Sequence, residues 1–459
     1  MEPNVTAGTG RAAQFRDQHI LIIGLARSGL AAAKLLCSLG ARVTVSEAKP
    51  KEELKDLPAL EALGVEICPQ TPDVFERDFD LAVKNPGING NLWFVKRLRE
   101  RQIPVITEIE LAYMAAAPQH FIGVTGTNGK TTTCTLLYEI LKRAYPEKTL
   151  LCGNIGVALC EMVTAYDLIH NAGYYIVLEI SNFQLADIVD FRPGIAAIIN
   201  LAPDHLDFMG SEDAYYRSKC RVYENMTAAD TFLLNLDDPI LADYVKRIPV
   251  PAKTVTYSAK TANADFYADD KTLYAFGEPL LPLSSLKIVG RHNVQNVLVA
   301  TAAALTAGVP AGTAAAACAD FGGVEHRIEF VREKDGVKYY NDSKGTNVDA
   351  TVTAVNAFDA PVILLAGGYE KGLSFEPIRP LLPKIKQVIG FGACGKRLID
   401  ELTGGAGVLT TDLPAALNAA NKIAAPGDVV LLSPTTSSFD QYSCFEERGD
   451  HFKQLVNAL

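Results

Sequence analysis

No apolar run in this 459-residue sequence approaches the roughly 18 residues that a membrane-crossing helix needs. The stretch Met1 to Gln18 also lacks the apolar core of a secretory leader. The expectation is a cytosolic protein with no membrane insertion. The nine cysteines form no CxxC pair and no metal-ligand spacing, which sets aside a zinc ribbon and a redox dithiol and leaves reduced, mostly buried thiols. Positive charge is in deficit: 43 lysines and arginines against 53 acids give a net charge of −10, the wrong sign for a protein whose partner is nucleic acid. Local basic residues must therefore handle any anionic substrate. Internal repeats and low-complexity tracts are missing as well, so neither a solenoid nor a disordered scaffold is indicated.

What is present is a globular composition, 48% hydrophobic and 21% charged, on a chain long enough for about three domains. The first segment, 1–108, alternates short apolar strands (His19–Ile23, Arg42–Ser46, Leu81–Lys84) with helices expected over Leu30–Leu39 and Lys51–Leu63, a parallel α/β pattern of Rossmann type. The second, 109–323, opens on a glycine-rich loop and continues through strands at Tyr174–Glu179, Ile195–Asn200 and Thr231–Asn235 to helices at Asn296–Ala307 and Ala311–Asp320. The third, 324–459, has strands at Val337–Asn341, Val362–Ala366, Gln387–Gly390 and Val429–Leu432 with helices between them, again α/β.

The chemistry concentrates in Phe121-Ile-Gly-Val-Thr-Gly-Thr-Asn-Gly-Lys-Thr-Thr-Thr133. A buried strand runs into Gly126, Thr127, Asn128 and Gly129, whose backbone can turn tightly with its amides inward. Lys130 supplies a cation, Thr131 a hydroxyl for the Mg2+ of a nucleoside triphosphate, and a helix starting near Thr131 and Thr132 adds its positive end. The strict phosphate-loop pattern asks for glycine at 124, where valine stands.

Other candidates lie at strand ends. Gly24-Leu-Ala-Arg-Ser-Gly29, with Ala26, Arg27 and Ser28 in the turn, Asn85 in a later turn and Glu47 ending the second strand, reads as a pocket for a nucleotide diphosphate with Glu47 near a sugar or base; alanine in place of the middle glycine weakens the pyrophosphate site. Glu179 ends an apolar strand where a metal-bound carboxylate belongs, and Leu201-Ala-Pro-Asp204-His205 follows another. Lys219 sits on a helix capped by Ser211, and spacing alone makes it an ordinary solvated lysine.

The set Gly126-Thr-Asn-Gly-Lys-Thr131, Gly153-Asn154-Ile-Gly156, Leu178-Glu179-Ile-Ser181, Pro203-Asp-His205, Ser218-Lys219, Gly290-Arg-His-Asn293-Val-Gln-Asn296, Glu325-His326-Arg327 and Asn341-Asp342-Ser-Lys344 resembles the Mur ligase family, which builds the peptide stem of bacterial peptidoglycan, over essentially the whole chain. Segments Asn341–Asn347, Gly367–Gly372 and Leu432–Gln441 resemble the branch of that family that adds D-glutamate. The resemblance implies a cytoplasmic, monomeric ATP-dependent ligase that joins D-glutamate to UDP-N-acetylmuramoyl-L-alanine through an acyl phosphate. It implies two Mg2+ ions, held by Thr131 and Glu179 and by His205 and a carbamylated Lys219, with Lys130, His205 and Lys219 as catalytic groups. Asn296, Arg327, Asp342 and Lys344 would then meet ATP, and Asn154 the muramoyl substrate. Thr346 and Lys371 would bind one carboxylate of D-glutamate, Ser438 and the backbone at Phe445 the other. Three alternatives stay open on the residues: a folylpolyglutamate-synthase-like ligase, a nicotinamide-dependent oxidoreductase using Gly24 to Glu47, and a phosphate-loop switch without an acyl acceptor.

Overall fold

The computed structural model describes residues 11–54, 56–202, 209–372 and 374–459. Its contacts divide the chain into two compact units, Met1–Leu281 with Gln295–Ala317, and Pro282–Val294 with Cys318–Leu459.

The first unit carries two sheets. One contains β1 (His19–Ile23), β2 (Arg42–Glu47), β3 (Glu66–Pro69), β4 (Leu81–Lys84) and β5 (Val105–Thr107) in the order β3-β2-β1-β4-β5. All four of its pairings are parallel. The central strand reads His-Ile-Leu-Ile-Ile with Ile20 to Ile23 fully buried, as a parallel strand covered on both faces requires. The expected helix over Lys51–Leu63 is broken into a short 3-10 turn, Lys51–Glu53, and a helix Leu57–Ala62. Pro58 is the cause: it lacks an N–H and fits only the first turn.

The other sheet contains β6 (His120–Thr125), β7 (Thr149–Gly153), β8 (Tyr175–Glu179), β9 (Ile195–Ile198), β10 (Thr231–Asn235), β11 (Lys253–Ser258), β12 (Phe266–Ala268), β13 (Thr272–Ala275) and β14 (Glu278–Pro282), in the order β14-β13-β12-β11-β10-β9-β6-β8-β7. The parallel portion extends from β7 to β12, and β12 meets β13 antiparallel. Strands β11 to β14 have no counterpart among the expected elements. They are short, and their half-exposed residues give no continuous apolar run.

One hydrophobic cluster runs from Phe15 through both sheets to Tyr244, so the expected boundary near 108 falls inside this unit. Polar links reinforce the junction. Lys84, 2% exposed, pairs with Asp187 at 3.2 Å, and Arg99 reaches the other oxygen of Asp187 at 2.6 Å. The Thr107 hydroxyl donates to the Gln184 carbonyl.

The second unit holds β15 (Glu329–Lys334), β16 (Val337–Asn341), β17 (Val362–Gly367), β18 (Ile385–Phe391), β19 (Val408–Leu409) and β20 (Val429–Leu432), in the order β15-β16-β20-β17-β18-β19. It is parallel except for the β15–β16 hairpin. Its two faces are covered by separate apolar clusters, one around Leu364 and Leu431, the other around Leu365 and Leu432, the alternation a two-sided sheet demands. Seven of the nine cysteines are buried and all nine are free thiols. Among the described residues no helix is long and apolar enough to cross a membrane.

Candidate active site

Strand β6 carries Val124 buried and paired with Glu179 of β8, so the chain is still extended where the phosphate-loop pattern asks for glycine. The turn starts only at Gly126. It ends at Gly129, which caps helix Lys130–Ala144 with φ +83°, a left-handed conformation costly for any residue bearing a Cβ. A Cβ there would also stand 2.4 Å from Asn296 Oδ1. Asn200, just past β9, pins the loop: its Oδ1 accepts the amides of Thr127 at 3.2 Å and Asn128 at 2.9 Å. The Lys130 ammonium folds back on the carbonyls of Gly126 and Thr127, both at 2.8 Å. Thr131 and Thr132 occupy the first helical turn. The result is a helix N-terminus with a cation beside it, a geometry that attracts phosphate.

Glu179 lies at the end of β8, 2% exposed. Its Oε1 accepts the Asn154 side-chain amide at 2.8 Å, whereas its Oε2 is buried with no hydrogen-bond partner among the described residues. A carboxylate oxygen in that state is costly unless a cation meets it, so the donor set fits a divalent ion beside the loop. Ser181 and Gln184 form a capping box on the short helix that follows, Asn182–Leu185. His205 lies outside the described residues.

Lys219 overturns the reading from spacing. It is 1% exposed on helix Glu212–Cys220, donates to the Gly126 carbonyl at 2.9 Å and lies 4.6 Å from the centre of the Tyr215 ring. The cue was available in the sequence: Tyr215, Ser218 and Lys219 share one helical face at i, i+3 and i+4. Ser211 caps this helix as expected, its hydroxyl accepting the Ala214 amide.

In the N-terminal sheet, Ala26 takes φ −60° and ψ 175° as the N-cap of helix Arg27–Ser38. That conformation needs no glycine, which explains why alanine is tolerated in the middle of the motif. Glu47 turns onto the loop itself, its two oxygens accepting the amides of Leu25, Ala48 and Lys49. A cleft of about 540 Å3 is lined by Gly24, Ala26, Glu47, Asn85 and the apolar Leu54 and Leu92. A second, of about 190 Å3, joins Ala26, Arg27, Ser28 and Asn85 to Asn154 and Gln184. Arg27 donates to the carbonyls of Gly156 and Asn154. The expected substrate residues of the two sheets are thus brought together.

The second unit holds the remaining candidates. Lys371 is exposed and donates to the Thr346 carbonyl at 3.2 Å. Ser438 is buried, and its hydroxyl, like those of Thr435 and Ser437, has no hydrogen-bond partner among the described residues. Beside them lies Arg448, fully buried on helix Phe445–Asn457 and absent from the expected set. Its Nε and Nη2 donate to the hydroxyl and carbonyl of Ser343, while Nη1 has no hydrogen-bond partner among the described residues. Burial pushes the Arg448 guanidinium down to about 10. An arginine on the same helical stripe as Phe452 was the signal for it. The Ser343 hydroxyl donates to the Phe445 carbonyl at 2.8 Å, and the Lys344 ammonium lies 5.7 Å from the Phe445 ring centre.

Asp342 is buried, accepting the Ser433 hydroxyl at 2.7 Å and the Ile328 amide at 3.2 Å, and desolvation raises its carboxyl to about 7. Arg327 is exposed. Glu370 is committed to a two-pronged ion pair with Arg397. Asn296 belongs to the first unit and accepts the Thr133 hydroxyl at 3.3 Å.

Residues 124–304 match the family model of the Mur ligase middle domain, and residues 326–436 that of the Mur ligase glutamate ligase domain. The chain belongs to the Mur ligase family. It is similar to the UDP-N-acetylmuramoylalanine–D-glutamate ligase of Geobacillus kaustophilus (strain HTA426), 41% identical over 453 residues covering 97% of this chain and 98% of the relative. The enzyme of that name from Bacillus subtilis (strain 168) is 40% identical with the same coverage of both chains. Among solved structures, UDP-N-acetylmuramate–alanine ligase MurC from Thermotoga maritima aligns with a TM-score of 0.54 at 19% identity, covering 96% of this chain and 99% of that one. MurF ligase from Thermotoga maritima in complex with ADP gives 0.51 at 16%, covering 100% and 98%. These structural matches establish likeness of fold.

Proposed function

We infer that this chain is an ATP-dependent ligase that adds D-glutamate to UDP-N-acetylmuramoyl-L-alanine in the cytoplasmic synthesis of peptidoglycan precursors. The observation that carries the reading is identity of about 40% along 97% of the chain to ligases named for this reaction. Partial matches, such as a folylpolyglutamate-synthase-like enzyme, do not account for a first sheet with a nucleotide-type cleft, and a nicotinamide oxidoreductase leaves the phosphate loop without a task.

The work divides over three regions, 1–108 for the UDP-linked substrate, 109–323 for ATP and 324–459 for the amino acid. ATP would lie on the loop Gly126–Thr132, with Asn296, Arg327, Asp342 and Lys344 toward its base, ribose and phosphates. Ala26, Arg27, Ser28, Glu47, Asn85 and Asn154 would hold the UDP-muramoyl substrate. A carboxylate is a poor acyl donor because its leaving group is poor. One oxygen of the alanyl carboxylate therefore attacks the γ-phosphorus, the bond to ADP breaks, and an acyl phosphate forms. Lys130 and the loop amides offset the charge that gathers as one anion approaches another.

The amine of D-glutamate then attacks the acyl carbon. Phosphate leaves from the tetrahedral intermediate, and the amine gives up a proton to yield the amide. Thr346 and Lys371 would hold one acceptor carboxylate, Ser438 and the Phe445 amide the other, with Arg448 positioning the Ser343–Phe445 wall behind them. Thr131 and Glu179 would hold one Mg2+, and His205 with an N-carboxylated Lys219 a second; bound there, the ions supply electrostatic stabilisation of the transferring phosphoryl group. Lys219 acquires that carboxylate when its amine adds to the carbon of CO2 and loses a proton. The enzyme would act as a monomer.

Phosphate release from ATP, measured with each substrate omitted in turn, tests the assignment. Turnover should require both the UDP-linked substrate and D-glutamate. Equal release with either left out would make the chain an ATPase of another kind.

A further inference from the structure

We propose that the opposite end of the central sheet holds a second small-molecule site, one that takes a planar aromatic acid. The phosphate loop, Glu179 and Asn200 all lie at or beyond the C-terminal ends of strands. At the N-terminal ends, His120, Tyr175, Ile195, Thr231 and Lys253 are each the first residue of β6, β8, β9, β10 and β11. They line a cleft of about 610 Å3, within the range of pockets that bury a small organic ligand. No residue assigned above to ATP, to the UDP-linked substrate or to D-glutamate belongs to it.

Two features give the cleft its chemistry. The first is aromatic. His120, Tyr175 and Tyr145 form a ladder of rings, with centroid separations of 4.5 Å and 4.2 Å and interplanar angles of 17° and 8°. Phe276 lines the cleft as well, 64% exposed at the tip of the hairpin between β13 and β14. Its backbone is left-handed at φ +53°, followed by Gly277 at φ +84°, a two-residue turn of type I′ in which asparagine, aspartate or glycine is the ordinary first residue. A phenylalanine placed there has an unfavourable backbone conformation and a ring in solvent, and neither follows from the needs of the turn. The contact with Phe266, centroids 4.9 Å apart, leaves most of the ring uncovered.

The second feature is a cation. Lys253 and Thr231 are register partners on adjacent parallel strands and so project to the same side of the sheet. Among the described residues no ion pair or hydrogen bond engages the Lys253 ammonium. An ammonium with a hydroxyl beside it suits a carboxylate, and the rings suit a planar hydrocarbon body. Both halves of the ligand are therefore specified.

The site touches the far ends of the two helices that build the phosphate loop. Leu305, Thr306, Ala307 and Gly308, at the end of helix Arg291–Thr306, form one wall. The hydroxyls of Tyr145, which ends the phosphate-loop helix, and of Tyr175 both donate to the Ala307 carbonyl. Asn296, about 15 Å earlier along the same helix, is the residue that packs on Gly129.

The test uses 1-naphthoate as probe and 1-naphthalenemethanol as its uncharged counterpart, titrated into the full chain by isothermal calorimetry or ligand-observed NMR. Phe276→Asn places the preferred residue in the turn and keeps the fold. Saturable 1-naphthoate binding is expected in the native chain, weakened about tenfold or more by Phe276→Asn. Lys253→Ala should weaken 1-naphthoate and leave the alcohol unchanged. Absence of saturable binding, or binding that Phe276→Asn leaves intact, overturns the site; equal loss of both probes in Lys253→Ala overturns the assignment of an acid.

Discussion

The side-chain oxygen of Asn296 occupies the space that any substituent on Gly129 would need, 2.4 Å from the position of a Cβ. Residues 167 positions apart are therefore packed into one phosphate-binding turn, and Gly129 cannot take a larger side chain while Asn296 keeps this position.

Gly129→Ala combines that clash with a left-handed backbone. Folding should cost about 1–3 kcal/mol, read as a lower denaturation midpoint, and ATP should bind about ten- to a hundredfold more weakly by calorimetry. Unchanged nucleotide affinity in a stable Gly129→Ala protein would mean that the loop does not hold phosphate.

Lys219→Arg keeps a cation in the buried position beside Gly126 and Tyr215 but cannot form a carbamate. If the working group is an anion made from lysine and CO2, this variant should lose activity at least about a hundredfold. Native mass spectrometry of the parent chain should find a fraction heavier by one CO2. An active Lys219→Arg enzyme would return residue 219 to a structural role.

Glu108 should make the protein less stable as pH rises. Its carboxyl is fully buried, one oxygen accepting the Cys160 amide and the other without a hydrogen-bond partner among the described residues. Burial raises it from 4.5 to about 7, the Cys160 amide and Arg27 opposing and Glu161 adding. The native state therefore holds a proton that the unfolded state has released. The favourable contribution is complete below about pH 4.5 and is lost as pH climbs through 7, amounting to a few kcal/mol. Urea midpoints at pH 5 and pH 8 should differ more in the native chain than in Glu108→Gln; an identical difference in both would contradict the assignment.

Lys371 is exposed in its own unit, so Lys371→Ala should leave the fold and the phosphoryl transfer untouched. The KM for D-glutamate should rise about ten- to a hundredfold, while acyl phosphate is still trapped by hydroxylamine. Loss of the trapped species with an unchanged KM for D-glutamate would place Lys371 with ATP instead.

Strands were legible where apolar residues dominate a short run. Leu81–Lys84, Thr231–Asn235, Val337–Asn341 and Val429–Leu432 have the expected bounds. Strands such as Lys253–Ser258 were not, since their polar, half-exposed residues resemble loop. In the site, the loop and Glu179 could be read from local pattern, whereas the helical faces carrying Lys219 and Arg448 hinted at burial without deciding it. Both are charged side chains whose burial is decided by elements far away in sequence: Gly126 lies 93 residues from Lys219, and Ser343 lies 105 from Arg448. Glu47 is the converse case, a residue whose expected place beside a sugar is shared with three backbone amides, Leu25 from the turn after the first strand and Ala48 and Lys49 from its own loop.

The most direct test of the central claim is the mass of the product formed from ATP and UDP-N-acetylmuramoyl-L-alanine when D-glutamate, L-glutamate, L-lysine and meso-diaminopimelate are offered separately. D-Glutamate alone should be joined efficiently, giving a product heavier by one glutamyl residue with one ADP and one phosphate released. Efficient joining of L-lysine or diaminopimelate, or none of D-glutamate, would contradict the account.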